Sequence, residues 1–437
     1  MTPECHLSGM KLTVVGAIAA SIVIVVCLDR LENRTLTDKL MQMVSDTLTT
    51  LSEQAAANAT HVGDSPNLTA TNCTQDKNAD LGTVRKFLKR FGYEAAADHE
   101  FKSPYIVSPT PCVPRAPTVS TSETKIISCH NCPAWYLSHT FNQHNMDFKR
   151  CPYKNCVFDS KGEHRKNATM LLFFMSGLGQ KPNRSKGQIW VKAMWESAVH
   201  YSYPKPYAPW KDAFNWTFNF RTDSDIFAPN NMFAWRDQSN LLSDAEYAAI
   251  ARNKTKMAAW FVSNCRSHGR REDYVKQLQK YIDVDIYGAC GRLRCVDRNK
   301  CEQMLSEDYK FYLSFENSLC QDYVTEKLFR VFQYRTHIVP VVRGGLDYDK
   351  HVPPGMVVNT AHFKTIKDLA EHLKHLAGDH ALYANMLKEK DKLVTLDRKF
   401  DWCDICEKLH TETGTKIIDD IQRWSHGGTC REPADLT

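Results

Sequence analysis

The stretch FENSLCQDYVTEK, residues 315–327, lies between two segments of different pattern. Before it, YKFYLSF (309–315) is a short run rich in aromatic residues, as expected of a buried strand. After it, VTEKLFRVFQYR (324–335) has the apolar spacing of a helix, with Asp322 as its predicted N-cap. A strand that leads into a helix through a polar segment predicts an α/β sheet whose ligand binds at the carboxyl ends of the strands.

Two series of such segments follow one another along the chain. The first has predicted strands at 168–177, 187–195 and 215–220. The second has predicted strands at 256–263, 284–288, 309–315, 337–342 and 355–359, and predicted helices at 271–282, 324–335 and 365–377. The fold class is therefore α/β, with two facing doubly wound domains at 126–255 and 256–437 and a cleft between them.

Lys327 falls in the first turn of the predicted helix that faces this cleft. A cation is normally unfavourable there, because the helix dipole prefers anions. Two interpretations follow from the spacing. Either Lys327 and the helix N-terminus together bind a diphosphate, or Lys327 pairs with Glu326 or Glu316 at the surface.

The N-terminal part of the chain has a different composition. Residues 12–28, LTVVGAIAASIVIVVCL, carry no charge and predict an uncleaved transmembrane signal anchor, with a cleaved signal peptide as the alternative. Residues 1–11 would then be a cytoplasmic tail and 29–125 a stem rich in small and polar residues. Apolar residues at helical spacing within 36–51 indicate a short stalk, through which a homodimer could form.

Glycosylation sequons indicate which side of the membrane the body occupies. All eight lie beyond the apolar segment, which favours a lumenal body. The candidate asparagines are Asn33, Asn58, Asn67, Asn72, Asn167, Asn183, Asn215 and Asn253.

The 16 cysteines agree with an oxidising compartment. Closely spaced cysteines predict local disulfides, and these groups are Cys129/Cys132, Cys151/Cys156, Cys290/Cys295/Cys301 and Cys403/Cys406. A zinc ribbon built from the first two pairs is the alternative, but thiolate sites belong mostly to reducing compartments. The net charge of +6 comes without a long basic run, so nucleic acid is not an expected partner.

The segment FYLSFENSLCQDYVTEKLFR (311–330) resembles the signature of the α1,3-fucosyltransferases, glycosyltransferase family 10. Four further segments resemble that family in the same order: NWTFNFRTDSDIFAP (215–229), WFVSNCRSHGRREDYVKQLQKYIDVDIYG (260–288), HIVPVV (337–342) and WCDICEKL (402–409). The resemblance covers roughly residues 150–425 and is closest to invertebrate, nematode-like members. It implies the two-domain GT-B fold, GDP-fucose as donor substrate and transfer with inversion.

The resemblance also implies roles in donor binding. Arg271 and Lys327 would bind the diphosphate, and the adjacent Arg270 is the alternative to Arg271. Glu326 would accept hydrogen bonds from donor hydroxyls, most simply those of the ribose. The remaining donor-pocket residues would be Asn317, Tyr323 and Glu316, the last either contacting fucose or acting as a structural acceptor.

For the catalytic base, the resemblance points to Glu196, in the segment IWVKAMWESA, with Asp223 as the second candidate. No essential metal is expected, and Mn²⁺ or Mg²⁺ would at most be stimulatory. The Asp-x-Asp pairs at 223/225, 283/285 and 347/349 carry little information, because matches to so short a motif arise by chance.

The expected acceptor is a GlcNAc residue of N-glycans on glycoproteins, at the core or on an antenna, and the expected location is the Golgi membrane in type II orientation. Thr222 stands where vertebrate relatives often carry an arginine, so the acceptor preference is open. A glycosidase that uses two carboxylates and an inactive or lectin-like anchored glycoprotein are the alternative functions. Of the tryptophans clustered between residues 190 and 260, most are expected to be core residues and one or two to offer aromatic faces to the acceptor sugar.

Overall fold

The structure, a computed structural model, describes residues 101, 103–106, 123–133, 148, 153–203, 207–236, 238–333, 336–396, 402–412 and 416–436. The predicted signal anchor, the stalk helix and the first four sequons lie outside these residues. Across the ranges that are described, no helix is long and apolar enough to cross a membrane.

The strands and helices are numbered here in chain order. The strands are β1 (Lys125–Cys129), β2 (Cys156–Asp159), β3 (Met170–Phe174), β4 (Ile189–Met194), β5 (Trp216–Asn219), β6 (Ile226–Phe227), β7 (Met232–Trp235), β8 (Lys256–Phe261), β9 (Val284–Tyr287), β10 (Tyr309–Phe315), β11 (Leu319–Cys320), β12 (Val339–Arg343), β13 (Val358–Asn359), β14 (Leu393–Leu396) and β15 (Cys430–Arg431). The α-helices are α1 (Asp244–Asn253), α2 (Arg271–Leu278), α3 (Arg298–Asp308), α4 (Glu326–Phe329), α5 (Tyr348–His351), α6 (Ile366–Gly378), α7 (His380–Asp391), α8 (Trp402–Thr411) and α9 (Ile421–His426).

Two parallel sheets organise the molecule. The first has the order β2-β1-β3-β4-β5-β6, and the second has the order β13-β12-β10-β8-β9. Strands β3, β4, β10 and β12 are buried along their whole length, as parallel strands covered on both faces must be. The α/β fold class with two parallel sheets, as in the GT-B architecture, is therefore confirmed.

The second sheet has the predicted alternation of strands and helices. β9 lies on one side of β8, and β10, the next strand of the sheet along the chain, lies on its other side. The strand order therefore reverses between β8 and β10, and in such sheets the ligand crevice opens at the carboxyl ends of those two strands. The predicted helix at 324–335 is shorter than expected, because α4 ends at Phe329 and gives way to a 3₁₀ turn.

The first sheet obtains its helical cover from the C-terminal part of the chain. Its described connections are loops and 3₁₀ turns rather than α-helices. Helix α8 packs against one face of the sheet through Trp402, Ile405 and Leu409, and α9 packs against the other through Ile421. Helices α8 and α9 thus belong to the first half of the structure, whereas the sequence placed them in a domain at 256–437.

A short part of the predicted stem belongs to the folded body. Tyr105 and Ile106 are buried in the core beside the second sheet, and Ile106 forms a bridge with Phe233 of β7. β7 in turn pairs with β14. The body therefore includes residues 103–106, upstream of the boundary predicted at 125.

The disulfides correct part of the predicted pairing. Cys129–Cys132 and Cys295–Cys301 are local, as predicted. The predicted pairs Cys151/Cys156 and Cys403/Cys406 are wrong, because Cys156 bonds to Cys406 across the interface between the first sheet and α8. Cys290, predicted to pair within the group 290/295/301, bonds to Cys265 instead, and a further disulfide is Cys320–Cys430. Spacing along the chain could not reveal pairs that only the tertiary fold brings together.

The described sequons differ in their accessibility. Asn167, Asn183 and Asn253 are exposed. Asn215 is buried: its amide group donates a hydrogen bond of 2.9 Å to the carbonyl of Lys416, and its side-chain oxygen accepts one of 2.9 Å from the backbone of Trp190. A glycan on that amide nitrogen does not fit the fold, so Asn215 is a structural residue rather than a glycosylation site.

Removing the Cys156–Cys406 disulfide should destabilise the protein more than removing Cys295–Cys301. The first closes a loop of 250 residues and the second a loop of 6. Chain-entropy arguments predict that the double Ser variant at 156 and 406 loses about 3 kcal/mol more free energy of unfolding than the double Ser variant at 295 and 301. Urea denaturation of both variants measures this difference, and equal losses would contradict it.

Candidate functional site

Two loops of the second sheet meet at the crevice between β8 and β10. The loop after β8 leads into α2, and the loop after β10 contains Glu316 and Asn317 and leads into α4. Gly269 in the first loop donates a backbone hydrogen bond of 2.8 Å to the carbonyl of Asn317 in the second. The site is therefore built on the point of the second sheet where topology predicts a ligand.

Glu316 is the buried anchor of this segment, with 0% of its surface exposed. Its carboxylate accepts hydrogen bonds from the backbone N–H of Thr325 at 2.8 Å and from the Thr325 hydroxyl at 2.9 and 3.0 Å. Burial raises the pKa of Glu316, and Lys327 opposes that effect. Of the two predicted roles for Glu316, the geometry matches the structural acceptor.

Lys327 contacts the carboxylates of Glu326 and Glu316, the pairing that was the second interpretation of its position in the sequence. Its Nζ lies 2.9 Å from Glu326 Oε1 and 3.5 Å from Glu316 Oε2, and it donates to the Thr325 hydroxyl at 2.8 Å. Burial alone would lower the pKa of Lys327, but the two carboxylates outweigh it and the pKa is raised. The ammonium group is therefore held charged at the crevice.

The N-cap prediction at Asp322 is wrong. Thr325 precedes the first residue of α4, and Asp322 instead joins the two halves of the structure. Asp322 has φ 57° and is buried, and its carboxylate accepts hydrogen bonds from the Thr222 backbone N–H at 3.0 Å and hydroxyl at 2.8 Å. The threonine that stands in place of an arginine thus has a defined structural partner.

Arg271 and Arg270 have different environments. Arg271 is 4% exposed, and its guanidinium donates to the carbonyl of Phe315 at 2.8 Å, at the end of β10. Its Nε is buried without a partner among the described residues. Arg270 is exposed and paired with Asp273 at 2.8 Å. The structure therefore brings Arg271, not Arg270, to the crevice.

The two remaining donor candidates lie on the same segment. Asn317 is half-buried, and its side-chain oxygen accepts a hydrogen bond from the Ser318 hydroxyl at 3.1 Å. Glu326 leaves 68% of its side chain exposed, so its carboxylate is accessible to a ligand. Burial acts to raise the pKa of Glu326, but Lys327 outweighs it and the pKa is lowered.

Glu196 and Tyr323 connect the first half of the structure to this segment. The Tyr323 hydroxyl donates a hydrogen bond of 2.6 Å to Glu196 Oε1, and the Ser197 backbone N–H donates to the same oxygen at 3.0 Å. A second link is a hydrogen bond of 2.7 Å between the buried hydroxyls of Ser318 and Ser197. Burial first, and then the nearby Glu316 and Glu196 carboxylates, raise the pKa of Tyr323, so its hydroxyl remains a donor.

Asp223, the second candidate base, is already paired. Both of its carboxylate oxygens accept hydrogen bonds from the Arg221 guanidinium, at 2.9 and 2.5 Å. Asp225, the other member of that Asp-x-Asp pair, accepts from Thr217 and Lys416. Glu196, by contrast, is exposed and has no cation as a hydrogen-bond partner among the described residues.

The potential metal ligands give no support to the zinc alternative. The sulfur atoms of Cys129, Cys132 and Cys156 form disulfides and are not thiolate ligands. Cys156 and Cys406 lie close to His410, but their sulfur atoms are bonded to each other.

Two buried basic residues and one aromatic were missed by sequence reasoning. Lys192 interrupts the apolar run of β4, and Arg343 ends β12 and pairs with Asp435 at 2.7 Å. A basic residue inside a buried strand was the available signal, since lysine and arginine are rarely buried without a partner.

Among the clustered tryptophans, Trp190, Trp210, Trp216, Trp235 and Trp260 are core residues. Trp424 of α9, outside that cluster, instead borders a pocket with Glu196.

Two family models match the chain. The model described as "Glycosyltransferase family 10 (fucosyltransferase) C-term" matches residues 251–424, and the model described as "Fucosyltransferase, N-terminal" matches residues 125–231.

Individual relatives also match the chain. A glycoprotein 3-alpha-L-fucosyltransferase A of Drosophila melanogaster is 36% identical over 295 residues, which are 64% of this chain and 56% of that protein. An alpha-(1,3)-fucosyltransferase of Caenorhabditis elegans is 31% identical over 303 residues, 67% of each chain. The chain spans little more than half the length of the Drosophila relative.

A crystal structure of an alpha1,3-fucosyltransferase with GDP-fucose aligns with a TM-score of 0.46 and 17% identity. The alignment covers 68% of this chain and 94% of that one.

Replacing Glu316 by glutamine should change how stability depends on pH. Because burial raises the pKa of Glu316, the folded state binds this proton more tightly than the unfolded chain does. The contribution of Glu316 to the free energy of unfolding is therefore largest below its ordinary pKa and decreases as the pH rises through the raised value. Glutamine cannot titrate, so the stability of Glu316→Gln relative to wild type should increase from pH 4 to pH 7.

Urea denaturation at several pH values measures this trend. The matched control is Glu326→Gln, because Glu326 belongs to the same segment but has a lowered pKa. That variant should show the opposite slope. A stability difference between Glu316→Gln and wild type that does not vary with pH would contradict the expectation.

Proposed function

Because the chain belongs to glycosyltransferase family 10, the fucosyltransferases, we propose that it transfers fucose from GDP-fucose to a GlcNAc residue of glycoprotein N-glycans, with inversion at the anomeric carbon. Inversion requires a single in-line displacement. The protein then has to supply a base for the acceptor hydroxyl, positive charge for the departing GDP, and positioning of both sugars.

The hydrogen bond between Tyr323 and Glu196 is the observation that carries the proposal. Tyr323 belongs to the segment that contains Lys327, and Glu196 follows β4 of the first sheet. This contact brings a carboxylate from one half to the donor crevice of the other half. A base and a diphosphate site must be close together for direct displacement, and this pairing supports that arrangement.

Glu196 would act as the base. Both hydrogen bonds that the structure gives to its carboxylate fall on Oε1, from Tyr323 and Ser197. These contacts orient the carboxylate, and Oε2 would accept the proton of the acceptor hydroxyl. Asp223 is the weaker candidate, because Arg221 neutralises it.

Arg271 and Lys327 would stabilise the GDP leaving group. Arginine offers several donors in a planar arrangement that suits phosphate, and lysine offers a compact charge. The unpartnered Nε of Arg271 and the charged ammonium group of Lys327 support this role. Two fixed cations can offset the developing negative charge without a metal, so Mn²⁺ or Mg²⁺ is at most stimulatory. Glu326 would accept a hydrogen bond from a ribose hydroxyl.

The proposed location is the Golgi lumen, in type II membrane orientation. The five disulfides among the described residues support an oxidising compartment. The exposed sequons at Asn167, Asn183 and Asn253 agree with a lumenal body.

The test of this function is transfer by the purified full chain. The protein is incubated with GDP-fucose, EDTA and a panel of free N-glycans, and mass spectrometry with fragmentation locates any added deoxyhexose. Fucose on a GlcNAc residue in EDTA is the expected result. Absence of transfer to every acceptor, with EDTA and again with Mn²⁺, would contradict the proposal.

Glu196→Gln should abolish transfer while leaving GDP binding intact. Loss of a general base typically lowers the rate about 10²- to 10⁴-fold. The variant is compared with Tyr323→Phe, which keeps the base but removes one hydrogen bond to it and should lose less activity. Initial rates and calorimetric titration with GDP measure the two effects. Near-normal turnover of Glu196→Gln would exclude Glu196 as the base.

Arg271→Gln should weaken GDP binding, whereas Arg270→Gln should not. The two arginines are adjacent, but only Arg271 is buried at the crevice. Loss of a charged hydrogen-bond donor to phosphate should lower GDP affinity about 10- to 100-fold. Calorimetric titration with GDP gives both values, and equal effects of the two substitutions would contradict the assignment.

A further inference from the structure

Tyr105 belongs to the predicted stem, but it is buried where the two halves of the structure meet. It is 1% exposed, and its carbonyl accepts a hydrogen bond of 2.8 Å from the backbone N–H of Phe233 in β7. Its ring packs edge-on against Phe227 of β6, in the first sheet, and against His351 of α5, in the second half, with 5.3 Å between the ring centroids in both pairs. The Tyr105 side chain therefore contacts both halves.

The Tyr105 hydroxyl reaches the segment that carries the donor candidates. It donates a hydrogen bond of 3.2 Å to the backbone carbonyl of Asp322. Burial raises the pKa of Tyr105 well above its ordinary value, and Asp322 and Tyr348 add to this effect, so the hydroxyl remains a donor. The Asp322 carbonyl belongs to the planar peptide unit that leads into Tyr323. Holding this carbonyl therefore restricts the direction in which Tyr323 leaves the backbone.

The backbone of Asp322 needs contacts that hold it in place. Its φ of 57° lies in the left-handed region, which is less favourable for a residue with a side chain and persists where the surroundings fix it. The Asp322 carboxylate accepts from Thr222 of the first half. Its N–H donates at 3.2 Å to the carbonyl of Gly345 in the second half. The Tyr105 hydroxyl is the third contact, and it comes from upstream of both sheets.

The segment between β10 and α4 is thus anchored at two separate places. The buried Glu316 carboxylate anchors the part that carries Lys327. The contacts at Asp322 anchor the part that carries Tyr323. Loss of the Tyr105 hydroxyl should therefore disturb Tyr323 and leave the anchor of Lys327 in place.

We propose that Tyr105 is a positioning residue for the transfer reaction. Its hydroxyl fixes the peptide unit between Asp322 and Tyr323, and the Tyr323 hydroxyl in turn holds the carboxylate of Glu196 at 2.6 Å. The inference rests on the proposed fucosyl transfer, in which Glu196 is the base. It gives a residue of the predicted stem an indirect role in the chemical step, through Asp322 and Tyr323.

The experiment compares Tyr105→Phe with Tyr383→Phe in the full chain. Tyr383 is the matched control, because it is 0% exposed and its hydroxyl donates at 2.6 Å to the carbonyl of Lys310, at the other end of β10 from Glu316. Both substitutions keep the ring and remove one buried hydrogen bond to a carbonyl. Tyr105→Phe should lower kcat about 3- to 10-fold, the effect of one neutral hydrogen bond, and Tyr383→Phe should change it by less than about 2-fold.

Substrate binding distinguishes a positioning role from general damage to the site. Because the anchor of Lys327 remains, Tyr105→Phe should keep the KM for GDP-fucose and the Kd for GDP within about 2-fold of the wild-type values. A lower kcat at unchanged KM is expected when the lost interaction orients the base rather than the donor.

A double variant tests whether the effect passes through Tyr323. Tyr323→Phe alone removes a hydrogen bond to the Glu196 carboxylate and should lower kcat about 10- to 100-fold, the range for a hydrogen bond to a charged group. Adding Tyr105→Phe should then lower kcat by less than a further factor of about 2, because the bond that Tyr105 positions is already lost.

Hydrogen exchange provides a measurement that does not need activity. The amides of Asp322 and Tyr323 donate to the carbonyls of Gly345 and Cys320. Tyr105→Phe should raise the exchange rates of these two amides about 3- to 10-fold, because it loosens the peptide unit between them. Tyr383→Phe should leave both rates unchanged.

Four results would overturn the inference. They are a kcat of Tyr105→Phe no lower than that of Tyr383→Phe, a KM for GDP-fucose that rises as much as kcat falls, a full additional loss in the Tyr323→Phe background, and unchanged exchange at residues 322 and 323. Lack of transfer by wild type would contradict the proposed function instead. In that case the exchange rates still decide whether Tyr105 holds the peptide unit between Asp322 and Tyr323.

Discussion

The geometry of the candidate site depends on the buried carboxylate of Glu316. It accepts hydrogen bonds from Thr325 and lies beside Lys327, so it closes the segment between β10 and α4 into one conformation. That conformation directs Tyr323 to the first half of the structure and keeps Lys327 at the crevice. Arg271 reaches the same place by donating to Phe315, the residue before Glu316. No ligand is proposed to contact the Glu316 carboxylate. This carboxylate nevertheless positions most of the groups that would bind the ligand.

The two halves of the structure are joined by polar contacts as well as by the chain. Thr222 binds Asp322, Ser197 binds Ser318, and Glu196 binds Tyr323. In each pair one residue comes from the first half and the other from residues 318–323. The segment that holds the donor candidates thus also contacts the first half of the structure. A movement of this segment can therefore be transmitted directly to Glu196, the proposed base.

Much of the second sheet could be predicted, because its strands are short apolar runs and α2 and α6 have clear apolar periodicity. The site residues Arg271 and Glu196 were reached through resemblance rather than through spacing. Spacing left two roles open for Lys327, and the resemblance left two open for Glu316, because burial and hydrogen-bond partners are tertiary properties. The Cys156–Cys406 bond and the packing of α8 on the first sheet join residues far apart in sequence, and no local pattern encodes them. Lys192 was visible as a charge within β4, but only the fold shows that its Nζ has no hydrogen-bond partner among the described residues.

The helices that cover the first sheet come from the C-terminal part of the chain, and this position affects the order in which the parts of the protein fold during synthesis. Proteins commonly fold from the N-terminus as they are made. Here the cover of β3 and β4 is completed only when α8 and α9 have been made, after the whole second sheet. Asn215 likewise waits for the carbonyl of Lys416, so its sequon is accessible to glycosylation until that residue arrives. The first half of the chain to be translated is therefore the last to be completed.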